Sequence, residues 1–158
     1  MLRVDIRDLQ RGPVRTDAEL DPDDPAFAGL ALGLEGPVTV RGQLQASGRD
    51  EYLWRGHVHG VMAGECRRCL TGVRDELDID VDAAVFTADP ELADDPDFYP
   101  LPPRATAVDV TEVVREELAL AAQADLLLCR EDCAGLCPRC GADLNAGPCG
   151  CHTPAEPV

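Results

Sequence analysis

Eight cysteines in four close pairs constrain this chain more than any other feature of its sequence. Six lie within "CREDCAGLCPRCGADLNAGPCGC", from Cys129 to Cys151, and the other two form "CRRC" at Cys66 and Cys69. At 158 residues the chain can bury a core without covalent staples, so the thiols need a reason beyond folding a mini-protein. Four uses compete. Disulfides need an oxidising compartment, to which nothing in the sequence points. A thioredoxin-like redox pair would follow a strand and open a helix in a βαβ unit, and neither C-x2-C here does so. Iron–sulfur clusters use the same ligands. Structural zinc takes four tetrahedral ligands, often all cysteine, from paired short turns, and it accounts best for the spacing.

Cys66-x2-Cys69 and Cys137-x2-Cys140 are short turns that aim two sulfurs at one point, and Cys129-x3-Cys133 and Cys149-x-Cys151 supply the other pairs. In "CPRCG", Pro138 pre-sets φ and Gly141 can take a positive φ at low cost. Eight sulfurs make two sets of four, and four pairs can combine in three ways. Only eight residues separate Cys140 from Cys149, so the smallest closure cost puts Cys137, Cys140, Cys149 and Cys151 together. Cys66 and Cys69 are then left to join Cys129 and Cys133. His152 is a possible substitute ligand, read here as a bystander. Both sites, with four cysteines each, are closed and structural.

The rest of the chain reads as α+β. Alternation in "LRVDI", "PVTVRGQLQA", "EYLWRGHVHGVM" and "ELDIDVDAAVF" predicts strands of an antiparallel sheet, with a partly closed barrel as one form of it. In the last of these, Leu77, Ile79, Val81, Ala83 and Val85 are predicted to face inward against Asp78, Asp80 and Asp82. "CRRC" falls at a hairpin tip between the third and fourth strands. Residues 16–36 read as a loop with at most a helical turn, and the acidic, proline-rich stretch 87–107 as a flexible tether. "DVTEVVREELALAA" predicts one helix, capped by Asp109 with Glu112 in a capping box. It packs through Val110, Val113, Val114, Leu118 and Ala121 and ends near Leu128. The expected organisation is a sheet-plus-helix core over 1–128 and a cysteine-rich zinc module over 129–151.

The formal net charge of −16, with every basic residue an arginine, opposes tight binding to naked nucleic acid and suits a basic protein partner. Arg55, Arg67, Arg68 and Arg74 form the one basic stretch that could touch RNA. His57 and His59 share the polar face of a strand and read as surface residues. No nucleophile–base–acid set, P-loop or dinucleotide-binding motif occurs, and closed four-cysteine sites leave no open metal position, so no enzyme and no small-molecule substrate is expected. Charges at Arg3, Asp5, Arg7 and Asp8 interrupt any signal-peptide core, and no long apolar run crosses a membrane. The expected location is cytoplasmic.

"ECRRCL" (65–70), "DVTEVVREELAL" (109–120) and "LCREDCAGLCPRCGADLN" with "CGC" (128–151), in this order, resemble the YceD family of large ribosomal RNA subunit accumulation proteins. Some members of that family keep the proximal C-x2-C and lack the distal cluster. The resemblance implies a non-enzymatic role in ribosome biogenesis, supporting accumulation of large-subunit (23S) rRNA. It points to the pre-ribosomal large subunit as partner, reached through a basic ribosomal protein with weak rRNA contact. Two readings from other classes stand beside it: a metal-handling or thiol-redox protein, and a direct RNA-binding zinc module.

Overall fold

A computed structural model describes residues 1–124 and 127–151. The chain divides into two compact units: residues 1–62 with 76–124, and residues 63–75 with the C-terminal segment from 125. The second unit thus takes in the "CRRC" segment, which the sequence reading had placed in a core ending at 128.

The elements follow the order β1 (Arg3–Asp5), α1 (Ile6–Leu9), β2 (Val14–Arg15), β3 (Ala18–Leu20), a 3-10 turn (Pro25–Phe27), β4 (Val38–Gly48), β5 (Glu51–Glu65), β6 (Gly72–Thr87), β7 (Phe98–Pro100), β8 (Ala107–Asp109) and α2 (Thr111–Ala124). The three long strands β4, β5 and β6 form the middle of an open sheet ordered β2-β4-β5-β6-β7, and β3 continues the β2 edge along β4. The path has two ends, so the sheet is not closed into a barrel. β4 and β5 are antiparallel, with Val40 opposite Val58 and Leu44 opposite Trp54, and a register shift between Ala46 and Gly48. β1 pairs separately with β8, Val4 opposite Val108.

Alternation holds where it was read most simply. Val38, Val40 and Leu44 on β4 are buried, as are Trp54, Val58 and Met62 on β5. Burial of such a face is the main favourable term in assembling a one-sided sheet. In α2, Val113, Val114 and Leu118 are fully buried, and so is Val110 just before it. The helix starts at Thr111, because Asp109 ends β8. The Asp109 carboxylate still accepts from the Thr111 N–H (3.0 Å). The expected helix end near Leu128 cannot be followed, since residues 125–126 lie outside the described residues; Leu127 and Leu128 are not helical.

Four readings change. β6 keeps Leu77 and Val81 inward, but the next buried residues are Ala84 and Phe86, while Ala83 is exposed. The alternation steps by one residue at Asp82–Ala83, as a bulge does, and the Asp82 carbonyl accepts from Arg55 Nε (3.0 Å). β7 pairs with β6 in parallel, Val85 opposite Phe98, so the sheet is not purely antiparallel. Residues 87–107, read as a tether, return the chain to that edge. There the Tyr99 ring lies 5.2 Å from that of Phe86, and its hydroxyl donates to Glu116 (2.7 Å). Residues 16–36, read as a loop, contain β3 paired with β4. The short elements α1, β2 and β3 fall below the length at which periodicity is visible.

Trp54 is the largest buried side chain, and two glycines make its place. Gly42 and Gly56 stand opposite each other on β4 and β5. A Cβ on either would fall 2.5 or 2.4 Å from the indole, which therefore lies flat on bare backbone. The indole N–H, buried with it, donates to Thr16 Oγ1 (2.7 Å), and Thr16 is itself fully buried. Gly56→Ala should therefore displace the indole and destabilise the first unit by about 1–3 kcal/mol, the usual cost of overpacking. Chemical denaturation followed by tryptophan fluorescence would measure it.

Candidate metal centres

Cys66 to Leu70 form the turn between β5 and β6. The Leu70 N–H donates to the Cys66 carbonyl and the Cys66 N–H to Thr71, both at 2.8 Å. Leu70 sits at φ 62. The second pair arrives from beyond α2: Cys129 Sγ lies 3.5 Å from Cys69 Sγ, and Cys133 Sγ lies 3.8 Å from Cys66 Sγ. Cys66, Cys69 and Cys133 are buried and Cys129 is exposed, with Val73, Leu128 and Leu136 packed around the sulfurs. Arg68 fastens the incoming segment. Its guanidinium donates to the carbonyls of Glu131 (3.2 Å) and Cys133 (3.0 Å), and its own carbonyl accepts from the Leu136 N–H (3.0 Å). The approach is close enough that a Cβ at Gly135 would touch that carbonyl at 3.0 Å.

The second set repeats the turn. The Gly141 N–H donates to the Cys137 carbonyl (2.8 Å), with Gly141 at φ 72 in the place Leu70 holds in the first turn. The Cys137 N–H donates to Ala142 (2.8 Å), and Leu136 forms an antiparallel bridge with Asp143. Cys149 and Cys151 close the loop onto Cys137 and Cys140. Cys137 is buried, Cys149 and Cys151 are half-buried, and Cys140 is exposed.

Within each set the four sulfurs all lie within 4.8 Å of one another. The structure thus brings the cysteines together in the grouping that loop closure favoured. Each set could hold a metal ion. Four thiolates about 2.3 Å from a central ion stand about 3.8 Å apart on a tetrahedron; the Cys66–Cys133 separation is 3.8 Å, and that of Cys69–Cys129 is a little shorter at 3.5 Å. The electrostatics point the same way. Backbone N–H groups of Cys129, Arg68 and Cys69 draw the Cys66 thiol down to about 6 against its burial, and those of Cys140 and Arg139 draw Cys137 down to about 6. Their neighbours move oppositely: Cys129 is pushed up to about 12, first by Cys69, and Cys151 to about 11, first by Cys140. Four sulfurs in contact cannot all ionise unaided, and a central dication removes that conflict. The described residues of the second unit bury sulfur rather than hydrocarbon, with Val73, Leu128 and Leu136 only partly buried. Among its described residues the buried apolar side chains are Cys66, Cys69, Cys133 and Cys137.

Asn145 was not singled out by sequence reasoning, although it stands in "CGADLN" inside the second loop. Its Oδ1 accepts from Arg130 (2.7 Å) and from the Ala134 N–H (2.8 Å). Its Nδ2 donates to Asp143 (2.7 Å) and to Cys133 Sγ (3.5 Å). A polar side chain within a cysteine loop was the only signal, and three of its four partners lie outside that loop.

Arg67, Arg68 and Arg74 belong to the cysteine unit, and Arg55 to the other. Arg55 and Arg68 are engaged by backbone carbonyls as described. His57 and His59 are half-exposed in the first unit; His57 bonds Asp78 (2.7 Å) and Asp80 (2.8 Å), and His59 lies 3.6 Å from Asp78. His152 lies outside the described residues. No helix among the described residues is long and apolar enough to cross a membrane.

One unit with a one-sided sheet and one long helix, and a second built on two four-cysteine clusters, define a small protein with two candidate metal centres. Residues 54–157, which include both clusters, match the family described as "Large ribosomal RNA subunit accumulation protein YceD". The chain belongs to the YceD family. It is also similar to proteins of Mycobacterium bovis and of two strains of Mycobacterium tuberculosis, each named "Uncharacterized protein". Each is 28% identical over 168 residues, covering 99% of this chain and 77% of the relative. No solved structure matches the chain significantly.

The histidine pair yields a pH prediction. The bond to Asp80, then the charge of Asp78, raises His57 above its ordinary 6.5. A raised value means that the ion pairs stabilise the fold fully below 6.5 and that this contribution is lost as pH rises through the folded value. Titration of the His57 ring by NMR should show a midpoint above 6.5, and Asp80→Asn should bring it down.

Proposed function

We propose that the protein is a non-enzymatic factor in biogenesis of the large ribosomal subunit, supporting accumulation of 23S rRNA, and that both cysteine sets hold structural zinc. The observation that carries this is the family match, which spans both clusters. The donor chemistry supports zinc: four thiolates in tetrahedral reach, no open position and a sulfur-lined core suit a structural ion. Zinc would let all eight thiols ionise and would supply the cohesion that hydrocarbon supplies elsewhere. All eight cysteines, Cys66, Cys69, Cys129, Cys133, Cys137, Cys140, Cys149 and Cys151, are ligands in this reading.

The charge distribution supports the choice of partner. The second unit carries five arginines against seven carboxylates in sequence, so all but about two of the sixteen net negative charges belong to the first unit. An acidic sheet unit suits a basic ribosomal protein in a cytoplasmic pre-ribosomal particle. Arg67, Arg68 and Arg74 would make at most local rRNA contacts. One observation favours a metal-handling role instead: the second set is more exposed than the first, as an exchangeable site requires. Rapid, reversible loss of one zinc to a mild chelator, with the fold intact, would support that role.

Protein purified without added metal should contain two zinc per chain by native mass spectrometry. One ion would end the two-site reading, and an iron–sulfur absorption band would end the zinc reading. Depletion of the protein in its host should lower 23S rRNA relative to small-subunit rRNA, and an unchanged ratio would count against the ribosomal role. Binding to isolated rRNA fragments should be weak at physiological salt and fall further as salt rises. Nanomolar binding that survives moderate salt would place the partner in the other class.

A further inference from the structure

Asn145 lies in the loop between Cys140 and Cys149, whose two ends are the pairs of the second set, yet its amide reaches Cys133 of the first set (3.5 Å). Its orientation follows from the chemistry of its partners. The Ala134 N–H can only donate, so it meets the amide oxygen (2.8 Å). The Asp143 carboxylate accepts, so it meets the amide nitrogen (2.7 Å). With Arg130 on the oxygen (2.7 Å), the remaining amide hydrogen is directed at sulfur. The loop that carries it is held to the segment after Cys133 by the Leu144 N–H to the Gly135 carbonyl (2.9 Å) and by the Leu136–Asp143 bridge.

We propose that Asn145 is an outer-shell residue of the first metal site, supplied by the loop of the second, so that filling either site strengthens the other. The proposal rests on the reading that both sets bind metal. An N–H donated to a ligating thiolate spreads its charge and holds the sulfur in place. Outer-shell partners of this kind are worth roughly 10- to 100-fold in metal affinity. A filled second site pins both ends of the 141–148 loop and so keeps Asn145 on Cys133. Linkage makes the effect reciprocal: whatever factor the second ion adds to the affinity of the first, the first adds to that of the second.

The test uses the full-length chain, with zinc affinity measured by chelator competition and each site assigned from the cysteines protected against alkylation. Asn145→Ala should weaken zinc at Cys66, Cys69, Cys129 and Cys133 by roughly 10-fold or more. Asn145→Asp keeps the acceptor for Arg130 and Ala134 but removes the donors to sulfur and to Asp143, and it should weaken the same site. Emptying the second site with Cys149→Ser and Cys151→Ser should weaken the first by a similar factor. Adding Asn145→Ala to that variant should have little further effect, because the two changes remove one interaction. Unchanged first-site affinity in Asn145→Asp, or effects that multiply in the combined variant, would overturn the coupling while two bound zinc ions left the metal reading intact. A native chain that takes up no zinc would overturn both.

Discussion

The second unit depends on sulfurs 60 and 67 residues apart in sequence meeting within 4 Å: Cys69 with Cys129, and Cys66 with Cys133. Closing so long a loop costs entropy, though the cost grows only with the logarithm of its length. A second cost is electrostatic. Drawing four ionisable thiols together leaves some driven toward thiolate by backbone N–H groups and others held protonated by those same neighbours. With no buried hydrocarbon side chain among its described residues, the unit has little else to offset either cost. Zinc bound by small modules carries an apparent ~10–16 kcal/mol at neutral pH. That exceeds or equals the ~5–15 kcal/mol net stability of a whole ordinary domain. On the proposed reading, metal binding and folding of this unit are one event.

The first unit solves its problem in the ordinary way. A sheet with one apolar face buries Val38, Val40, Leu44, Trp54 and Val58 completely, and α2 buries Val113, Val114 and Leu118. Its one demanding detail is Trp54, whose indole needs bare backbone at Gly42 and Gly56 and a hydroxyl at Thr16 to satisfy its N–H. The outer face keeps His57, Asp78 and Asp80 in mutual ion pairs, so the charges there are partly spent on one another.

The two turns that begin the clusters show how one geometry accepts different residues. Gly141 takes the positive φ at no steric cost, whereas Leu70 occupies the same place at φ 62 and remains 58% exposed. The hydrogen bond that closes each turn is the same, from the residue after the second cysteine to the carbonyl of the first, at 2.8 Å in both. Backbone geometry around a pair of sulfurs therefore governs the turn, and the side chain adapts to it.

The alternation of β4 and β5, the apolar stripe of α2 and the cysteine pairs were all legible because each is a local pattern with a fixed physical period or span. Even the grouping of the cysteines followed from local reasoning, since the shortest closure left one partner for each remaining pair. Other features depended on residues distant in the chain. The phase step in β6 at Asp82–Ala83 and the parallel return of β7 reflect which edge was open to pair, not the propensities of the residues themselves. The pairing of β3 with β4 is of the same kind. The bond from Asn145 to Cys133 shows the reason best: an asparagine in a loop can satisfy its amide in many ways, and only the folded arrangement of Arg130, Ala134 and Asp143 leaves sulfur as the remaining partner.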